Sequence, residues 1–298
     1  MGNFMDSPRI LPNEQELISK LLASNRVHSY VINNLRTSLT SIGFTHKFVD
    51  ELTENLGSLE VDAFRAKHLD ELEEKYRIGF FQKLVPGYFK EHILPELSSC
   101  STVLDIGCGT GILAKILGEE AHFVSVVGID LIESPEWECF RSSKVQFRII
   151  TESNLQSFLE SFSPDAVLLT WVLHHMDLDE QIRYLRQIYG ALSVGSVVVL
   201  LEDSYAESRA PEHGRDIAAS FFAFSAEERH DIMSIYDWVA NRVLTGQAMM
   251  KIPFTYRPIE QWAVICADIG YTIEVNRFIG FPNSRDINTP QSLLVIRK

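Results

Sequence analysis

VLDIGCGTG, residues 103–111, is the most informative stretch of this sequence. An apolar strand carries Asp105, passes into three alternating glycines and leads to the apolar helix ILAKIL at residues 112–117. Glycine is required where a backbone turns tightly and must approach a ligand without a Cβ in the way. The first turn of the following helix offers unpaired N–H groups to an anion, here a carboxylate. The stretch therefore predicts a strand–loop–helix unit that holds a ligand.

A second acidic residue follows at the expected place. The next predicted strand, 124–131, carries Asp130, which lies 19 residues after Gly111 (130 − 111). A carboxylate at a strand end can accept hydrogen bonds from both hydroxyls of a ribose. The glycine spacing is G-x-G-x-G, whereas dinucleotide-binding loops have G-x-G-x-x-G. These residues fit a ligand that contains adenosine, either an adenosyl methionine or NAD.

Strands and helices alternate on both sides of the loop. Such alternation, with nearly continuous apolar strands, predicts a doubly wound, mostly parallel, seven-stranded Rossmann-like sheet. Ligands then bind at the carboxyl ends of the strands. The predicted strands are 102–107, 124–131, 144–150, 164–171, 196–203, 271–281 and 290–297, and the predicted helices are 110–119, 154–161, 178–191 and 258–269.

Two helical regions flank this α/β pattern. Residues 1–97 show helical periodicity and are predicted to form an N-terminal cap, ahead of a core at 98–298. Residues 204–257 interrupt the alternation with a mostly helical insertion of 54 residues, which predicts a lid over the ligand. Eight aromatic residues in this insertion suit a largely apolar or planar acceptor, although most of them are expected to pack the lid onto the sheet.

Composition excludes several classes of function. The 298 residues carry 27 Lys and Arg against 40 Asp and Glu, a net charge of −13, which argues against a nucleic-acid surface. The longest apolar run, 197–201, is too short to cross a membrane. MGNFMDSPRI, at the start of the sequence, lacks the pattern of a signal peptide. The four cysteines have no zinc or disulfide spacing, so we expect reduced thiols in a cytoplasmic protein.

Three motifs in order now point to a family. VLDIGCGTG, VVGIDL at 126–131 and PDAVLLTWVLHHM at 164–176 make the chain resemble the class I S-adenosylmethionine-dependent methyltransferases of the small-molecule, biosynthetic branch. The resemblance covers residues 80–203 well and 258–298 more loosely. It implies the cofactor S-adenosyl-L-methionine, the product S-adenosyl-L-homocysteine, and methyl transfer to O or N, less readily to C, of a small, partly aromatic or apolar metabolite. TWVL at 170–173 departs from the motif of enzymes that methylate base amino groups.

The resemblance also implies a set of cofactor-binding residues. Those at the methionine portion are Asp105, Gly107, Cys108, Gly109, Thr110 and Gly111. Those at the adenosine are Asp130 for the ribose, Leu131 for the adenine ring, and Glu152 or Asn154 for the adenine amino group. Thr170 and Trp171 are expected beside the cofactor, and Tyr76 with Arg77 could close over its carboxylate, although a plain surface charge explains Arg77 equally well.

A general base is needed if the acceptor is a hydroxyl or an ammonium that must lose a proton. Histidine suits this role near neutral pH. The candidates are His174, His175, Glu202 and Asp203, with His213 and His230 in the lid; for His230 a solvated helix surface is an equal explanation. Glu202 and Asp203 could instead bind the acceptor or a divalent metal, but a full metal-ligand set is not evident and no metal is predicted.

Two alternative functions stay open on the sequence. One is a protein that binds adenosylmethionine without catalysis, and the other is an NAD-dependent oxidoreductase. The predicted partner is a small-molecule acceptor, with neither nucleic acid nor membrane, and an exposed cap could serve a homodimer.

Overall fold

The computed structural model describes residues 12–282 and 286–298, so the N-terminal stretch used for the signal-peptide prediction lies outside the described residues. A seven-stranded sheet has the order β3-β2-β1-β4-β5-β7-β6. Its strands are β1 Thr102–Ile106, β2 Ser125–Asp130, β3 Val145–Ile149, β4 Ala166–Thr170, β5 Val197–Asp203, β6 Thr272–Gly280 and β7 Gln291–Arg297. The predicted doubly wound, mostly parallel Rossmann-like sheet is confirmed.

The strand pairing places the polar strand ends together. Strands β1 to β5 pair in parallel, whereas β7 runs antiparallel to both β5 and β6. The order reverses at β1, which lies between β2 and β4, so the switch point falls at the glycine loop, residues 107–111. Because parallel strands end at one edge, the residues after β1, β2, β4 and β5 are neighbours there. All seven residues of β5 are buried, as its apolar run predicts.

Helices accompany the sheet between β1 and β6. They are α7 Ile112–Glu119, α8 Glu136–Phe140, α9 Glu152–Phe162, α10 Leu178–Ala191 and α13 Ile259–Ile269. The short helix α8 was not predicted. The helix predicted at about 110–119 is α7, which begins two residues later because Gly111 has a left-handed backbone. The helix predicted at about 154–161 is α9, which begins two residues earlier, after an extended Thr151.

Contacts between residues divide the chain into two compact units. The sheet unit consists of Val85–Arg215, Thr255–Gly280 and Pro290–Lys298. The helical unit consists of the described residues up to Leu84, with Asp216–Phe254 and Phe281–Thr289. This division lies at 84/85 rather than at the predicted 97, since α6 (Val85–His92) contacts α7 in the sheet unit. The first part of the predicted lid also belongs to the sheet unit, because the main chain of Glu212 and His213 bonds to β6.

The helical unit is built from amphipathic and capped helices. These are α1 Pro12–Leu21, α2 Asn25–Ser41, α3 His46–Asn55, α4 Val61–Lys67, α5 Leu69–Glu71 with a π-helical continuation Leu72–Leu84, α11 Arg215–Phe222 (which begins at the unit boundary), and α12 Ala226–Trp238 with a π-helical continuation Val239–Leu244. A short 3₁₀ turn, Leu56–Ser58, lies in this unit, and two more, Leu94–Leu97 and Leu173–His175, lie in the sheet unit. No helix within the described ranges has the length and apolar character needed to cross a bilayer.

Candidate functional site

The glycine loop between β1 and α7 needs glycine for two physical reasons. Gly107 has φ +69°, and a Cβ there would lie 2.6 Å from a methyl carbon of Val172. Gly111 has φ +82°, and a Cβ there would lie 2.5 Å from the ring of Phe147. A left-handed backbone and a close neighbour at the same residue exclude other side chains. Gly111 also provides no side-chain cap, so the first N–H groups of α7 remain available to an anion.

Two buried polar atoms lie at the carboxyl ends of the adjacent strands β1 and β4. Among the described residues, Asp105 Oδ2 and Thr170 Oγ1 have no hydrogen-bond partner. Burial, followed by the charge of Asp130, raises the pKa of the Asp105 carboxyl to about 8. A carboxyl group in such a place lowers the stability of the ligand-free fold unless something binds it. A ligand that placed a donor here would satisfy both atoms.

Asp130 organises the other side of the loop. Its Oδ2 accepts a hydrogen bond from Gly109 N at 2.9 Å, and its Oδ1 accepts one from Leu131 N at 2.7 Å. Trp137, from α8, donates its indole N–H to Gly109 O at 2.8 Å and stacks on Phe147 with ring centroids 5.2 Å apart. A carboxylate has about four lone-pair positions, so Asp130 retains capacity for a ribose hydroxyl.

Trp137 was missed by the sequence prediction. Its signal was an aromatic residue in the short connection PEWECF, at 135–140, a few residues after the acidic strand end.

The predicted adenine side of the loop has an exposed apolar surface. Leu131 is 67% exposed and Ile132 is 61% exposed, both directly after β2. Glu152 and Asn154 lie in the first turn of α9 and are exposed. Glu152 accepts a hydrogen bond from Arg183 at 3.4 Å. Leu131 and Ile132 offer apolar side chains to solvent at this place, and the roles of Leu131, Glu152 and Asn154 toward the adenine stay predictions.

Cys108 and Thr110 complete the loop. Cys108 is buried, and Thr110 is half-buried. Burial raises the pKa of the Cys108 thiol, and the carboxylates of Asp105 and Asp130 raise it further. Cys108 is consequently a protonated packing residue, because only a thiolate is a good nucleophile.

His174 and Glu202 form a buried pair where β4 and β5 end. His174 Nδ1 and Glu202 Oε2 lie 2.7 Å apart. Glu202 Oε1 accepts hydrogen bonds from the main-chain N–H groups of Val172 and Leu173, at 3.0 and 2.8 Å. One carboxylate thus fixes both the imidazole and the 3₁₀ turn that carries it, Leu173–His175, which we call the histidine turn. The adjacent His175 is half-buried, with its ring centroid 4.1 Å from that of His174.

The histidine turn is held from its other side by Gln181, which the sequence prediction missed. The Gln181 side chain is fully buried and donates to the carbonyls of Leu173 (3.0 Å) and Met176 (3.2 Å). It also bonds Thr255, whose hydroxyl donates to Met176 O at 2.6 Å. Arg257 donates to Gln181 Oε1 at 2.7 Å. A glutamine on an amphipathic helix gives no sequence signal for this role.

Trp171 connects the end of β4 to β7. Its backbone has φ +56°, which is unusual for a bulky residue, and its indole N–H donates to Gln291 Oε1 at 2.6 Å. The Gln291 amide in turn donates to the Asp203 carboxylate. The ring of Trp171 packs on Phe89, with centroids 5.3 Å apart. Strained backbone of this kind is concentrated at functional sites.

Three predicted site residues belong to the helical unit. Tyr76 is buried and donates to Asp286 Oδ2 at 2.6 Å, while Arg77 donates to Glu73 at 2.6 Å. His230 is exposed, and its Nε2 lies 2.7 Å from the carbonyl oxygen of Phe254. These contacts all lie within the helical unit, so the cofactor roles of Tyr76 and Arg77 and the catalytic role of His230 stay predictions.

Comparison with known proteins identifies the family. The model of a methyltransferase domain family matches residues 74–273. Solved structures with a similar fold include an N,N-8-amino-8-demethyl-D-riboflavin dimethyltransferase from Streptomyces davawensis, with a TM-score of 0.51 and 16% identity over 93% of this chain and 71% of that one.

Two further similar structures are a 1,6-didemethyltoxoflavin-N1-methyltransferase from Burkholderia thailandensis (TM-score 0.47, 17% identity, 80% of this chain and 88% of that one) and human N-acetylserotonin methyltransferase (TM-score 0.46, 14% identity, 95% and 70%). No curated protein matched the chain significantly. Because the family model spans more than half of the sequence, and includes the glycine loop and the histidine turn, the chain belongs to the methyltransferase domain family.

Proposed function

We propose that this protein transfers the methyl group of S-adenosyl-L-methionine to an oxygen or nitrogen of a small metabolite. The observation that carries the proposal is the pair of buried polar atoms for which the described residues supply no partner, Asp105 Oδ2 and Thr170 Oγ1, at the switch point of the sheet. An ammonium or hydroxyl of a bound ligand would supply the missing donors. S-adenosylmethionine carries both groups, and its sulfonium supplies the electrophilic methyl group.

The residues present fit this cofactor along its length. Asp105 would bind the methionine ammonium, and the first turn of α7 would bind the carboxylate. Asp130 would bind a ribose hydroxyl, with Leu131 against the adenine. Gly107, which is solvent-exposed, would allow close approach of the backbone.

For an acceptor that must lose a proton, we assign the general base to His174. Its Nδ1 lies 2.7 Å from Glu202 Oε2, so this carboxylate holds the imidazole in place. Glu202 then acts as a positioning residue that stabilises the imidazolium formed during the reaction, rather than as a ligand for the acceptor. Methyl transfer itself needs mainly in-line positioning and exclusion of water.

The aromatic side chains within 204–257 give less information about the acceptor than their number indicates. Phe221 packs edge-on against Phe281, and Phe224 packs against Tyr30, with centroids 5.4 and 4.9 Å apart. Both are therefore core residues of the helical unit. The proposal of a small, partly apolar acceptor rests on the branch that the motifs resemble and on the net charge of −13, which disfavours polyanions.

The test is a calorimetric titration with S-adenosyl-L-homocysteine. We expect one site per chain. Asp130→Ala should weaken binding, whereas Asp165→Asn should leave it unchanged, because Asp165 directly precedes β4 and lies at the amino ends of the parallel strands, away from the glycine loop. Release of S-adenosyl-L-homocysteine in a screen of hydroxyl and amine acceptors then tests catalysis. Binding without turnover of any acceptor would favour the non-catalytic alternative, and binding of NADH in place of S-adenosyl-L-homocysteine would favour an oxidoreductase.

We propose in addition a cytoplasmic location and the use of the helical cap in a homodimer. The location is supported by four cysteines that are all free thiols, three of them buried. Light scattering of the purified chain tests the dimer, and a mass of one chain at all concentrations would exclude it.

A further inference from the structure

Glu91, His92 and His213 bring three metal-ligating side chains together outside the proposed cofactor site. One ligand atom of each residue lies within 4.8 Å of the other two. Glu91 and His92 end α6, whereas His213 lies in the segment between β5 and α11. All three belong to the sheet unit. Their separation of about 120 residues gave no spacing that sequence motifs could reveal.

The backbones that carry the two histidines are held in place. His213 N donates to Ile279 O at 2.9 Å, and His213 forms a parallel bridge with Gly280 at the end of β6. His92 is only 1% exposed, and its ring packs edge-on against Tyr88 with centroids 4.5 Å apart. Preorganised ligands reduce the conformational entropy that a metal must overcome on binding.

The surroundings of the two His92 ring nitrogens differ, and Nε2 is the one that faces Glu91. Among the described residues, its Nδ1 has no hydrogen-bond partner. Its Nε2 lies 3.9 Å from Glu91 Oε1, which is too long for a hydrogen bond. A buried imidazole normally has its polar atoms satisfied.

The surrounding charges favour a cation. The carboxylates of Glu91 and Glu212 act on His92, against the guanidinium of Arg277. Arg277 itself bonds Glu212 at 2.8 Å and lies 4.0 Å from Glu96. Three carboxylates, those of Glu91, Glu96 and Glu212, accompany the single guanidinium of Arg277. The group therefore carries an excess of negative charge.

The donor set selects the kind of metal. Two imidazoles and one carboxylate suit zinc and its neighbours in the first transition series, whereas Mg²⁺ and Ca²⁺ prefer oxygen ligands only. Three protein ligands and a water complete a tetrahedral zinc ion with bonds of about 2.0–2.2 Å. The exposed side chains of Glu91 and His213 can rotate to close the remaining distance, while His92 stays fixed.

We propose that Glu91, His92 and His213 form a zinc site that joins the end of α6 to the segment before α11 within the sheet unit. This site is independent of methyl transfer, and its role is to stabilise the fold through metal binding.

The test uses the full chain freed of metal with a chelator and titrated with zinc chloride in a calorimeter. We expect one zinc per chain and a higher melting temperature with zinc. Glu91→Gln and His213→Ala, both at exposed side chains, should each weaken zinc binding at least about tenfold, since even loss of an outer-shell partner weakens metal sites by that amount. His122→Ala, at another exposed histidine of the same unit, is the matched control and should bind zinc as the wild type does.

Circular dichroism of the metal-free variants should match that of the metal-free wild type, which separates loss of a ligand from loss of the fold. The proposal is overturned if the wild type does not bind zinc at one per chain. It is also overturned if both variants keep the wild-type affinity, or if His122→Ala weakens binding as much as they do.

Discussion

Replacing Asp105 with Asn should stabilise the ligand-free protein and, at the same time, weaken its binding of cofactor. In the fold the pKa of this carboxyl is about 8, against an ordinary value of 3.8, chiefly because of burial. Between these two pH values the unfolded chain is ionised at this residue while the folded chain holds a proton. Raising the pH therefore favours unfolding, and the effect is complete above the folded pKa.

The size of the effect follows from this shift. At pH 7 the solution is about 3 pH units above the ordinary pKa of 3.8. Each unit stabilises the ionised unfolded state by 1.36 kcal/mol, so the free energy of unfolding falls by about 4 kcal/mol as an upper limit. The amide of the Asp105→Asn variant does not titrate, but it inherits an environment without a partner among the described residues, which costs about 1–3 kcal/mol. A net gain of about 1–3 kcal/mol should raise the melting temperature by roughly 2–5 °C in a chain of this length.

Thermal melts of the wild type and of Asp105→Asn between pH 5 and pH 8 test this prediction. The stability difference should widen as the pH rises. In the same variant, S-adenosyl-L-homocysteine should bind roughly tenfold or more weakly, because a charge-assisted hydrogen bond is lost.

Asp165→Asn is the control, because the pKa of Asp165 is shifted in the opposite direction to that of Asp105. Burial raises the Asp165 pKa, but hydrogen bonds from Ser101 and Thr102 outweigh it and lower the pKa. Asp165 therefore adds stability that is lost at acid pH, and its replacement should destabilise the protein near neutral pH. An Asp105→Asn protein that melts below the wild type at pH 7, or a difference that does not change with pH, would refute the reasoning.

Three further predictions follow from the site. Gly111→Ala should destabilise the fold by roughly 1–3 kcal/mol in denaturant titrations, because its Cβ meets the Phe147 ring and its φ is positive; unchanged stability would show that the loop adapts. In the native protein an alkylating reagent should modify Cys139, the exposed cysteine, and leave the buried thiols intact until unfolding, as mass spectrometry can determine. Gln181→Leu should lower kcat more than it raises the KM for S-adenosylmethionine, because the histidine turn loses its support while the glycine loop does not; equal effects on both constants would contradict this role.

The sheet and the glycine loop could be predicted because their sequence signals are local. Glycines 107 and 111 are needed by backbone geometry that any such loop requires, and the apolar run of β5 is long enough to specify a buried strand. The strand bounds consequently agree within one or two residues. The position of Asp130 at the end of β2 was also predicted, because the strand signal is local, while its role toward the ribose stays a prediction.

The remaining features depend on contacts between distant parts of the chain. Trp137 bonds Gly109 across 28 residues, and Gln181 bonds Thr255 across 74. No periodicity reveals such pairs, since each residue type is ordinary in its own segment. Glu202 was found by position, but its role in holding His174 required the geometry. Most aromatic residues of the insertion were expected to pack, and Phe221 and Phe224 do so, although their packing partners, Phe281 and Tyr30, could not be read from the sequence.

Calorimetric titration of the purified chain with S-adenosyl-L-homocysteine is the most direct measurement of cofactor binding, on which the proposed function depends. We expect one binding site per chain, an affinity that rises between pH 6 and pH 8 as Asp105 loses its proton, and loss of that pH dependence in Asp105→Asn. A protein that is folded by circular dichroism and shows no heat of binding to either S-adenosyl-L-homocysteine or S-adenosyl-L-methionine would contradict the proposed function.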